Sequence, residues 1–171
     1  MVIHTIEPFL DTFDRMRGRT LRVWACVPED HVEWRPAPGR FSFGDVLRHL
    51  VGMERHLYVD VARGRPPAYP GHGEALASGR EGVLAYADRL HGEARGLLAG
   101  MTPDDLGRRV PGPAGGSMTA WKLLRAMAEH EAHHRGQVYL MLGLLGVPTP
   151  PVLGMTAEEV LAVSGSSAPP T

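Results

Sequence analysis

Two histidines four residues apart, His130 and His134, are the residues of this chain whose type and spacing most clearly point to chemistry. They lie in AWKLLRAMAEHEAHHRGQVYLMLGLLG, where an apolar stripe runs Leu123, Met127, His130, His134, Met141 and Leu145 at intervals of 4, 3, 4, 7 and 4. Residues at i and i+4 stack on one face of a helix and can reach a single metal ion. One inward histidine is most often a core residue with its hydrogen bonds satisfied. Two imidazoles in an apolar stripe are costly unless something binds their nitrogens. On spacing alone three readings stand: a metal-ligand pair, a buried hydrogen-bonded pair, and a pair lining a solvent-filled cleft.

A tetrahedral site needs at least one further ligand. His49 is the leading candidate, one position from Leu50 and flanked by Val46 and Met53, with His56 in reserve two turns on. His133 is displaced by about 100° around the helix from His134, which suits a hydrogen bond at the rim rather than ligation. His4, His31, His72 and His91 fall in termini, loops or on mixed faces and read as solvated. His130-Glu131-Ala132-His133-His134 also satisfies H-E-x-x-H, in which Glu131 would be the general base of a zinc protease. The extended form of that motif wants a glycine and then a third histidine. Gln137 and Leu140 stand there instead, and Glu131 is expected on the surface.

The elements that must position these residues read as all-α. Segment one, from about Thr5 to Val27, places Ile6, Leu10, Phe13, Met16, Val23 and Val27 at helical spacing and is stopped by Pro28. Three prolines and a glycine keep PEDHVEWRPAPGRF irregular, with Trp34 expected to plug one bundle end. Segment two opens with a capping box, Ser42 to Asp45, carries Phe43, Val46, Leu47, Leu50, Met53, Leu57 and Val61, and ends at Gly64. A second capping box, Ser78 to Glu81, starts segment three, which buries Val83, Leu84, Ala87, Leu90, Ala94, Leu97 and Leu98. Thr102-Pro-Asp-Asp105 predicts a single helical turn. Segment four begins near Ser117 and stops at Gly146, with Pro148 beyond. Thr156 caps a short terminal helix, and no alternating strand pattern of useful length occurs. The reading is a four-helix bundle with long connections and a short C-terminal helix, one domain over residues 1–163 followed by a disordered tail, 164–171.

Bulk composition narrows the class. The 171 residues are 43% apolar and 22% charged, with a formal net charge of −1. Eighteen Lys plus Arg against 19 Asp plus Glu leave no basic excess for phosphates, so nucleic acid is excluded as an expected partner. A lone cysteine, Cys26, rules out an internal disulfide, and its place in segment one suits a buried structural thiol. The N-terminus MVIHTIEPF carries no secretory signal, and no run approaches the ~18 apolar residues that would cross a bilayer. A cytoplasmic protein without a membrane partner is expected.

WRPAPGRFSFGDVLRHL (Trp34 to Leu50) and EHEAHHRGQ (Glu129 to Gln137) resemble, in kind and order, the two motifs of the DinB-like, or YfiT-like, superfamily of bacterial metal-binding four-helix bundles. The resemblance covers nearly the whole chain up to Gly146. It implies one ligand histidine late in the first motif and an H-x3-H pair in the last helix, matched here by His49, His130 and His134. From the i, i+4 pair plus His49, one divalent ion, zinc or nickel first, is expected. Relatives include bacillithiol- and mycothiol-dependent S-transferases and a mycothiol-dependent isomerase. The resemblance therefore implies a metal-dependent enzyme transferring a low-molecular-weight thiol onto a small electrophile. A metal-dependent hydrolase and a non-catalytic metal-binding bundle are the alternatives. Three histidine ligands leave an open coordination position, the layout of a catalytic site. Arg135 and Gln137 are candidates to bind the thiol cofactor, and no catalytic residue is assigned. Related bundles often pair, and Leu140, Leu142 and Leu144 off the main stripe predict an apolar patch and a homodimer.

Overall fold

The computed structural model describes residues 2–112 and 115–165. Four long helical runs form the bundle: α1 (Glu7–Trp24), α2 (Phe43–Met53) with its continuation, α4 (Gly79–Ala99) and α6 (Ala120–Leu144). The capping box at α2 forms as the sequence implies: Ser42 Oγ accepts from the Asp45 amide and the Asp45 carboxylate accepts from the Ser42 amide. Beyond Met53 the backbone passes without a break into a π-helical stretch, Glu54–Val59, and a last turn, α3 (Asp60–Ala62). The wider turn changes which side chains face inward. Glu54 and Tyr58 are buried, while Met53 and Leu57, expected in the core stripe, are only partly covered.

Two apolar clusters fix the helix directions. One joins the start of α1, the π turn and α3, the end of α4 and the start of α6. The other joins the end of α1, the start of α2, the start of α4 and the end of α6. So α1 and α6 run one way while α2 and α4 run the other. Packing pairs α1 with α6, α6 with α2, α2 with α4 and α4 with α1, leaving α1 and α2 diagonal. A parallel α2–α4 pair cannot be joined by a tight turn, which explains the long crossover after Gly64. The diagonal step from α1 to α2 explains the other long connection. Between the two apolar clusters the core is polar, and the histidines lie there.

Several local expectations change. Helix α1 is shorter than Thr5 to Val27, and Arg17, not Met16, takes the fully buried position on its inner stripe. Ser78 precedes α4 but makes no side-chain cap. Segment four starts three residues late because Ser117–Thr119 forms β2, paired antiparallel with β1 (Arg109–Pro111). The turn at Thr102 appears as α5 (Pro103–Gly107), complete with its capping box. Thr156 and Glu159 exchange capping bonds at the start of α7 (Ala157–Gly165), none of whose residues is buried. The expected tail overlaps the end of α7 at residues 164 and 165, and residues 166–171 lie outside the described residues. Trp34 is half-buried, stacking on Phe43 at 5.7 Å, and Cys26 is half-buried rather than buried.

Helix α6 buries a second stripe beside the first, because it touches α1 as well as α2. Leu124, Glu131, Arg135, Val138 and Leu142 follow one another at 7, 4, 3 and 4 and are all buried. This corrects two expectations. Glu131 is 1% exposed and not a surface residue, and Leu142 is fully buried and not part of an external patch.

Candidate metal centre

His49 comes from the middle of α2, His130 and His134 from successive turns of α6. Across that helix pair the His130 Nε2 lies 3.1 Å from both the His49 Nε2 and the His134 Nε2. One ligand atom from each of the three lies within 4.8 Å of the others. Tetrahedral Zn–N bonds near 2.0–2.1 Å would set nitrogens about 3.3 Å apart, which the two 3.1 Å spacings match, while the wider His49–His134 spacing has to draw in for all three to share one ion.

The outer nitrogens decide what the inner ones present. His134 Nδ1 lies 2.7 Å from the Gln137 side-chain oxygen, which only accepts, so Nδ1 carries the proton and Nε2 a lone pair. Gln137 in turn places its amide nitrogen 3.0 Å from His133 Nε2. His49 Nδ1 lies 2.7 Å from the Tyr69 hydroxyl, which sits 3.1 Å from His72 Nδ1. Donation along this chain, from His49 to Tyr69 to His72, leaves a lone pair on His49 Nε2. Two such lone pairs face the His130 Nε2 at 3.1 Å, and a set of three imidazoles suits borderline divalent ions. Orienting partners of this kind are usual around metal-ligating histidines.

Burial holds all three imidazoles neutral. His49 is pushed down to about 3 and His130 to about 4, burial first and the neighbouring imidazoles second. His134 is lowered by burial and by His133, against the opposing bond to Gln137. Since their folded pKa values lie below the ordinary 6.5, the unfolded chain takes up protons that the fold refuses as pH drops. The metal-free protein should therefore keep its stability above about pH 6.5 and lose it progressively toward pH 4. Urea denaturation at pH 7.5 and pH 5 checks this, with a smaller loss expected in His130→Ala.

Loop residues reach the site through Arg48, which is fully buried beside His49. Its guanidinium donates to Glu33, to Asp45 and to the carbonyls of His72 and Ala77. One side chain thus ties both long connections to α2. Those connections deliver Tyr69, His72 and Phe41, whose ring lies 5.2 Å from His49 and stacks at 6.1 Å on His134. A cleft of about 400 Å³ opens on the His134 side, lined by Phe41, Gln137, Leu140, Met141 and the Pro36–Arg40 turn. His56 lies outside the cluster, on the π turn. Gln137 lines the cleft but already spends both ends of its amide. Arg135 is buried on the second stripe of α6, with Nη1 unpartnered among the described residues, and does not line the cleft.

Sequence reasoning missed Tyr69 and His72. The signal available was a tyrosine and a histidine three apart in YPGHG, a turn-forming stretch that otherwise reads as solvated loop.

The model of the DinB superfamily matches residues 12–138, a span that includes all three histidines. The chain belongs to the DinB superfamily. No curated protein matches it. Among solved structures it is similar to a DinB-like protein of Bacillus subtilis, with a TM-score of 0.69 and 20% identity over 85% of this chain and 98% of that one. A DinB-like protein of Bacillus cereus gives 0.67 and 21% over 86% and 97%. YfiT of Bacillus subtilis, described as a probable metal-dependent hydrolase with an unusual four-helix bundle topology, gives 0.68 and 15% over 86% and 91%. At these identities the likeness is one of fold, and it agrees with the helix directions found in this DinB-superfamily chain.

Proposed function

We propose that this protein is a metal-dependent enzyme in which His49, His130 and His134 hold one divalent ion, zinc or nickel. The observation that carries the reading is the convergence of three imidazole Nε2 atoms beside a cleft of small-molecule size. When bound, such an ion supplies Lewis acidity that lowers the pKa of a thiol or water at its open position. Tyr69 and Gln137 orient His49 and His134 with Nε2 turned inward, and Phe41 packs against both rings.

The reaction proposed is transfer of a low-molecular-weight thiol onto a small electrophile. Cys26 is not placed to act as the nucleophile: its Sγ donates to the Arg22 carbonyl at 3.6 Å and is not part of the cleft wall. Nor does Glu131 serve as a free base, because both its oxygens accept from Arg17. That argues against the protease reading of H-E-x-x-H. Conjugation of monochlorobimane with bacillithiol, mycothiol and glutathione tests the proposal. The rate should follow metal occupancy and survive Cys26→Ser. Uncatalysed rates with all three thiols on fully loaded protein would overturn it. Metal-dependent hydrolysis is the second reading, favoured by the fold shared with YfiT.

A homodimer is part of the same proposal. Leu140 and Leu144 stand 67% and 62% exposed on α6, an apolar pair without cover among the described residues. Light scattering at micromolar concentration should give twice the chain mass of 18.6 kDa, and the single mass would contradict it. Among the described residues no helix is long and apolar enough to cross a membrane.

A further inference from the structure

The cleft beside the triad has an apolar body and one charged side chain. Phe41, Leu140 and Met141 supply the apolar wall, and Arg40 stands exposed in the lining. The other polar side chains of the lining are already committed. His134 gives Nδ1 to Gln137 and turns Nε2 to the triad, while Gln137 divides its amide between His134 and His133. No acid lines the cleft. Among the described residues the Arg40 guanidinium has no carboxylate or carbonyl partner, whereas Arg35 and Arg48 on the same face are paired with Asp45 and Glu33.

The turn that carries Arg40 is built rather than loose. Its amide donates to the Ala37 carbonyl at 3.2 Å, and Gly39 holds a φ of 73°, which a side chain would resist. Arg35 and Trp34 anchor the preceding residues to α2 through Asp45 and Phe43. A guanidinium on a braced turn, above an apolar slot, matches a carboxylate on an apolar body.

We infer that the cleft selects small apolar carboxylic acids, with the carboxylate on Arg40 and the apolar body against Phe41 and Met141. Arg40 is then the specificity-determining residue of the site. That the opposite end of such a molecule meets the reacting centre rests on the proposed function; the binding preference does not.

Metal-stripped protein is titrated with 4-phenylbutyrate and with its neutral amide, followed by calorimetry and ligand-observed NMR. Working without metal removes carboxylate–metal binding as a source of preference. The acid should bind on the order of fivefold tighter than the amide, as suits one exposed charge pair. Arg40→Gln should abolish that preference while leaving the amide's affinity unchanged, and Arg40→Glu should reverse it. Raising the salt concentration should shrink the preference in the wild type. Equal affinities in the wild type, an undiminished preference in Arg40→Gln, or no binding of either compound would overturn the inference. Zinc content, measured separately on reloaded wild type and Arg40→Gln, reports on the triad. Loss of acid preference in a variant that keeps its zinc separates the cleft from the metal centre. Acid preference in a wild type that binds no zinc would sink the metal reading and leave this one standing.

Discussion

Replacing His130 or His134 by alanine should remove stoichiometric zinc from the purified protein, while His133→Ala should retain it. The grading follows from which nitrogens converge. His130 Nε2 stands 3.1 Å from the Nε2 atoms of both partners, so losing either residue of the α6 pair leaves two ligands. His133 bonds Gln137 and meets the His134 ring edge-on at 4.9 Å, one step outward from the converging nitrogens. Changes to orienting partners of metal ligands typically cost about 10–100-fold in affinity. Tyr69→Phe, which removes the hydroxyl bonded to His49, should fall in that range, and loss of a ligand should exceed it. Elemental analysis after gel filtration, with chelator competition for the tighter variants, gives the order. Equal retention by His130→Ala, His134→Ala and His133→Ala would remove the basis for the assignment. Because metal binds the folded state, the two ligand variants should also lose the rise in melting temperature that added zinc gives the wild type.

The order of helices, their cores and the stacked pair in α6 were legible because each is written in local periodicity. Leu123, Met127, His130, His134 and Met141 repeat with the helix, so inward histidines announce themselves. His49 was legible because it rides on the α2 stripe beside Leu50. What stayed hidden depends on contacts between distant segments. Tyr69 and His72 meet His49 only because Arg48 pins the crossover to α2, and no periodicity marks a loop. The π turn after Met53 was hidden too, since it alters the inward set without altering composition. Glu131 and Leu142 were misplaced because one stripe was assumed where α6, packed on two neighbours, buries two. Arg17 carried a readable warning: it sits four residues after Phe13, on an otherwise apolar stripe.

That arginine should be the most sensitive position for stability. Arg17 is 2% exposed, and its guanidinium donates to Glu131 from Nε and Nη2 and to Glu54 at 2.8 Å, joining α1 to α6 and to the π turn across the diagonal of the bundle. His91 of α4 closes the group on Glu54 at 2.8 Å, so every bundle helix sends at least one side chain to it. Burial alone would lower the Arg17 pKa, but the two carboxylates outweigh it and hold the charge in place. The same attraction keeps Glu131 ionised against its own burial. Arg17→Met therefore takes the arginine from both Glu131 oxygens and leaves Glu54 with His91 alone. Removing one partner of a buried ion pair costs about 3–5 kcal/mol. At about 2–4 °C per kcal/mol for a chain of this size, the melting temperature should fall by roughly 6–20 °C. The combined variant Arg17→Met, Glu54→Leu, Glu131→Leu removes the charges together and should recover most of that loss, since apolar replacement of a whole buried ion group is often neutral or better. Calorimetry on the single and combined variants separates the two effects. A fall of less than about 3 °C in Arg17→Met would mean that water reaches the carboxylates, and the polar belt would then not be a sealed part of the core.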